Sequence, residues 1–141
     1  MTTLPTTWVN TRKLITGAPL AGVIAAAINA VLFYTGSATG TIPTDFVFPN
    51  TGQPLTIVPV LIFSFMPAIA GGLLLAVLNR FTKRPLRIFT IIALAILAVS
   101  FVGPISIPNA PPGLIVILEL MHVVVVSVVL TAFNRLVNRP G

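Results

Sequence analysis

LTIVPVLIFSFMPAIAGGLLLAVL, residues 55–78, is followed at once by NRFTKRPLR, residues 79–87. The first segment contains no charged side chain, and the second carries four basic ones: Arg80, Lys83, Arg84 and Arg87. A bilayer core about 30 Å thick is crossed by roughly 20 helical residues. A long uncharged run that stops on a basic cluster therefore reads as a membrane span ending at a cytoplasmic surface.

Working outward, three more apolar runs appear: Leu14 to Tyr34, Ile88 to about Val102, and Leu114 to Phe133. The third is short, but Pro104-Ile105-Ser106-Ile107-Pro108 continues it without charge. That stretch can complete the crossing to about residue 107 as an irregular segment, provided its backbone is buried in protein. The expected fold is all-α, a four-helix transmembrane bundle forming one membrane domain over residues 1–141. Its spans are about 14–34, 55–78, 88–107 and 114–133. Composition agrees. The chain is 56% hydrophobic and 7% charged, with a mean hydropathy of +1.07, whereas soluble domains carry about 25% charged residues. With no cysteine, neither a disulfide nor a thiolate metal site can form.

The eight basic residues are Arg12, Lys13, Arg80, Lys83, Arg84, Arg87, Arg135 and Arg139. Four crossings put all of them on one side, whereas three or five would scatter them. The loops on the other side, about 35–54 and 104–113, hold only Asp45. Both termini are thus expected in the cytoplasm, in a multi-pass protein of the cell inner (plasma) membrane. The net charge of +6 is accounted for by topology, so the expected partner is the lipid bilayer, including anionic headgroups, and not nucleic acid. The first run is too long for the 7–15-residue core of a signal peptide and reads as a retained span.

Small residues recur every four positions at Ala18, Gly22, Ala26 and Ala30 in the first run, and at Ala68, Gly72 and Ala76 in the second. Such ladders let helix backbones approach closely. Pro67 lies well inside the second run and should kink it, while Pro19 and Pro59 sit near span entrances. In the loops, Asp45-Phe46-Val47-Phe48 alternates as a short extended piece would, and the prolines of 104–113 should stiffen that connection.

Polar side chains inside spans are costly there and mark function by default. The fourth run carries Glu119 and His122, spaced i to i+3 on one helix face. Asn29, Ser64 and Ser100 come from runs one, two and three, with Tyr34 at the rim. Counting along each helix at about 1.5 Å per residue puts all of these in the outer half of the bundle. They predict a polar pocket opening outward, with Glu119 and His122 at its base. Three roles compete. The pair can tie helices together by hydrogen bonds. It can hold a ligand, ion or proton. Its Glu-x-x-His spacing also matches the helical half-motif of di-iron bundles, but those need two such motifs and further carboxylates, which only a dimer could supply. No metal ligand set and no cofactor is assigned. No nucleophile elbow, Ser-His-Asp set, phosphate loop or zinc motif is present, so no catalytic residue is named and the reading leans away from an enzyme.

A basic residue before an Asn-bearing first span, a Pro-containing second span ending in Asn79-Arg80, a basic inner loop and Met121-His122 in the last span together resemble a family of small four-span bacterial membrane proteins of unknown function. The resemblance spans nearly the whole chain. It implies no activity and points to His122 and Glu119 as the first residues to test. Two functions stand at this point: an accessory or assembly subunit of a larger membrane complex or homo-oligomer, favoured by small size, and a carrier or sensor using the outward pocket.

Overall fold

The computed structural model describes residues 8–138, and Arg139 lies outside them. Four helical stretches are long and apolar enough to cross a membrane. Helix α1 spans Thr11–Ala38, α2 Ile57–Phe81 and α3 Pro85–Ser100; a single turn α4, Val102–Ile105, follows, and α5 spans Pro112–Arg135. Counted together, α3 and α4 cover Pro85–Ile105, about 31 Å at 1.5 Å per residue. The third span thus begins three residues earlier than the hydropathy suggests, and its far end is a helical turn where an irregular segment was expected. The reason is local. Pro85 occupies the first turn, where a missing N–H costs nothing, so the helix starts there and draws Arg87 into it.

Each boundary has a chemical cause. Asn10 caps α1 by accepting from the Lys13 amide at 3.3 Å, satisfying one of the orphan donors of a helix start. At the other end of α1, Gly40 takes φ +73, a left-handed conformation glycine adopts without penalty. In the proline-rich connection Asn109 has φ 58, and asparagine is one of the few side chains that tolerates it.

Both described chain ends meet at one end of the bundle. Strand β1, Trp8–Val9, pairs antiparallel with β4, Val137–Asn138. Asn79, at the end of α2, holds this pair: its Oδ1 accepts from the Val9 amide at 3.1 Å and its Nδ2 donates to the Val9 carbonyl at 3.0 Å. All seven described Lys and Arg side chains are exposed and lie in or beside this terminal end. Asp45 lies in the far-end loop. There a second short hairpin, β2 Val47–Phe48 with β3 Gln53–Pro54, turns through Gly52 at φ +65. Phe46 and Phe48 meet edge to face at 5.4 Å. Of the extended piece read from the alternation at 45–48, Val47 and Phe48 form a strand of this hairpin, while Asp45 lies in a turn.

The tightest packing joins α1 to α2. A Cβ on Gly72 would lie 2.7 Å from the Ala18 Cβ, and one on Gly22 would lie 2.7 Å from the Phe65 ring. Lipid offers no hydrophobic drive between helices, so such close approach supplies the association. The buried face of α1 runs Leu14, Ala18, Ala21, Gly22, Ala25 and Asn29, while Ala26 and Ala30 are half-buried. The contact stripe is therefore rotated from the four-residue ladder toward the 3.6-residue period of a real helix. On α2 it runs Val60, Ser64, Ala68, Gly72 and Leu75, and helix α2 continues through Pro67. Only Pro85 and Phe89 are buried in α3, both near the terminal end.

Candidate functional site: an intramembrane cavity

A cavity of about 420 Å³ lies between α2, α3 and α5 in the far half of the bundle. Its walls are mostly apolar: Pro59, Val60, Phe63 and Pro67 from α2, Ile96 and Leu97 from α3, Met121, Val125 and Val126 from α5. Polar side chains enter from all four spans. They are Asn29, Ser64, Ser100 and His122, so four of the six residues singled out by depth in the sequence come together here. The other two do not join them. Tyr34 is 60% exposed on the flank of α1 and lines no part of the cavity. Glu119 is also absent from the walls. A shared face at i and i+3 still leaves two side chains about 60° apart around the axis, enough to turn Glu119 away while His122 faces in. Both Glu119 carboxylate oxygens are buried with no hydrogen-bond partner, so the pair is not joined by a hydrogen bond. Among the described residues no three His, Asp or Glu side chains cluster in a way that would ligate a metal ion.

The hydrogen bonds of the cavity wall can be counted donor by donor. Asn29 is 1% exposed. Its Nδ2 donates to Ser64 Oγ at 2.8 Å and to the Met121 carbonyl at 3.1 Å, tying α1 to α2 and α5 with both of its hydrogens. Ser64 Oγ donates to the Val60 carbonyl at 2.6 Å. Ser100 Oγ donates to the Leu97 carbonyl at 2.7 Å. His122 Nδ1 lies 2.7 Å from the Leu118 carbonyl. A carbonyl only accepts, so Nδ1 carries the hydrogen, and in the neutral ring Nε2 is left as a bare acceptor. The embedded donors are therefore all used within the protein. Three acceptors are left over among these groups: His122 Nε2 and Ser100 Oγ, which accept from nothing among the described residues, and Asn29 Oδ1, buried and unpartnered. The wall is polar at a few points and already satisfied at most of them, where the sequence suggested a broadly polar pocket.

Two features shape access. The β2–β3 hairpin contributes Phe48, Thr51, Gln53 and Pro54 at the far end. Phe63 and Ile96 line the cavity while being 73% and 60% exposed, so the cavity reaches the outer surface between α2 and α3. Sequence reasoning placed Phe48 in an extended piece and Asn79 at the end of the second span but assigned neither a role here, and it missed Thr51 and Gln53. Phe48 and Gln53 sit in a loop with no helical period to follow, and the Asn79 clamp acts on a two-residue strand too short to leave a pattern.

A bundle of four helices long and apolar enough to cross a membrane, with a cavity among three of them, defines a small multi-pass membrane protein. The chain belongs to a family of unknown function, DUF6069, whose model matches residues 9–139. No curated protein and no solved structure matches it.

Proposed function

We propose that this protein is a carrier or sensor of the bacterial plasma membrane, both termini cytoplasmic, which binds a small and largely apolar molecule in the cavity between α2, α3 and α5. The observation that carries this reading is the cavity itself: about 420 Å³ falls within the roughly 300–1,000 Å³ of small-molecule sites, which are mostly apolar with a few placed polar groups. His122 supplies the placed group here, with Asn29, Ser64 and Ser100 beside it in the wall. Orientation rests on the seven basic side chains at the terminal end and Asp45 at the far end. The cavity then opens in the outer half of the membrane.

A role as an accessory subunit of a larger complex is the second reading. It is favoured by a shallow apolar groove outside α1 and α2, between Val23, Ala26, Ala27, Leu61, Ile62, Phe65 and Met66, and by the unpartnered carboxylate of Glu119.

The test is purification in mild detergent followed by native mass spectrometry. The binding reading expects a stoichiometric small molecule that is lost when Val126→Phe fills the cavity. A stoichiometric protein partner and an empty cavity would overturn it in favour of the subunit role. Cysteines placed at Thr39 and Thr82 check the orientation with an impermeant thiol reagent on intact cells: Thr39→Cys should react and Thr82→Cys should not.

A further inference from the structure

We infer that the ligand is a neutral, lipid-borne molecule with a hydroxyl head, which enters sideways from the membrane between α2 and α3 and donates its hydroxyl hydrogen to His122 Nε2. This rests on the binding reading above and names its ligand class.

Three observations lead to it. First, the polar side chains deep in the cavity have acceptors to spare and no donors; the free donors of the lining, on Thr51, Gln53 and Thr56, belong to its far-end mouth. Both Asn29 hydrogens, the Ser64 and Ser100 hydroxyls and His122 Nδ1–H are spent on protein acceptors. A ligand that only accepts, such as an ether or a carbonyl, finds nothing to bond at the depth of His122, and burying its polar atom unpaired costs affinity. A hydroxyl finds the free nitrogen. The buried, unpartnered Asn29 Oδ1 adds negative potential to the same wall.

Second, no charge complements an ionic head. No Lys or Arg lines the cavity, and the described basic side chains all lie at the opposite end of the bundle. Glu119, the acid on α5, is turned out of the walls. A phosphate, sulfate or carboxylate would sit desolvated beside these acceptors, and a fixed cation would lack a counter-charge.

Third, the opening faces lipid. Phe63 and Ile96 belong at once to the cavity wall and to the exposed flank, and the far half of α3 has no buried residue to seal it against α2. The way in from the aqueous side passes Phe48 and Pro54 of the hairpin. A molecule already dissolved in the bilayer has the shorter and drier path, with its tail against Pro59, Pro67, Ile96 and Val126.

The experiment is photolabelling of the purified full chain in nanodiscs with three diazirine-bearing probes of one chain length: hexadecanol, hexadecyl methyl ether and hexadecyl sulfate. Labelled residues are identified by mass spectrometry. Removing the one donor should weaken cavity labelling about tenfold from alcohol to ether, the worth of one hydrogen bond in a site without water, and the sulfate should label it least. His122→Phe keeps a ring of similar size without the acceptor, so it should bring alcohol and ether to equal labelling. The ratio in the parent protein decides the matter even if that variant does not fold. Equal cavity labelling by all three probes, or preference for the sulfate, would overturn the hydroxyl assignment and leave the binding reading standing. An alcohol preference that survives His122→Phe would overturn the role of Nε2. If none of the three labels the cavity, the binding reading falls as well.

Discussion

Helices α2, α3 and α5 enclose two different regions along their length. Toward the terminal end the space between them is filled: Leu75 and Phe133 are fully buried, and Phe89 packs against Phe133 at a tilt, with ring centroids 5.3 Å apart. Toward the far end the same three helices enclose the cavity. The difference lies in side-chain size and in what holds α3. Near the termini each helix donates one large residue to the seam. Beyond it α3 offers Ile96, Leu97 and Ser100, α2 offers Ser64 and two prolines, and the gap stays open. Because lipid tails are as apolar as leucine, nothing squeezes α3 inward beyond Phe89, where it buries no further residue. A span can therefore be firmly anchored at one end and loosely packed at the other, and that asymmetry leaves the cavity open without weakening the anchor.

The sharpest way to break this contrast is to empty the filled half. Phe133→Ala should cost about 3–5 kcal/mol, as large-to-small changes in a closed core do. Reversible unfolding in detergent would measure it. A loss below about 1 kcal/mol would mean that the seam is no better packed than the cavity half. Gly72→Leu attacks the neighbouring α1–α2 contact, where even a Cβ meets Ala18. Overpacking should cost about 1–3 kcal/mol or more. An unchanged thermal midpoint would place that face away from its partner.

Asn29→Leu probes the wall of the open half. It removes two hydrogen bonds but also an unpartnered oxygen. At about 0.6–1.7 kcal/mol per interhelical bond, less the relief of the orphan, the net loss should be about 1 kcal/mol by the same unfolding measurement. The smallest change belongs to Glu119→Met. Its carboxylate oxygens bond nothing, so stability should be equal or slightly higher by thermal midpoint, and a clear fall would reveal a partner for Glu119.

The number of spans, their approximate limits and the gathering of basic residues at one end could be read along the chain. Each depends on hydropathy and spacing, which are one-dimensional. The small-residue contact between the first two spans was legible too, and only its rotation around the helix was off. A four-residue ladder drifts across a helix of 3.6 residues per turn, so Ala26 and Ala30 leave the seam while Ala21 and Ala25 enter it. Depth along each helix put Asn29, Ser64, Ser100 and His122 in the same half of the bundle, and all four line one cavity. What depth cannot give is angle and company. Glu119 and His122 share a broad face, yet only His122 reaches the cavity, because the two side chains lie about 60° apart around the helix axis. The tertiary structure alone also decided which donors were already spent. Those bonds, from Asn29 to Ser64 and to the Met121 carbonyl, join residues 35 and 92 positions apart, and only packing brings them together.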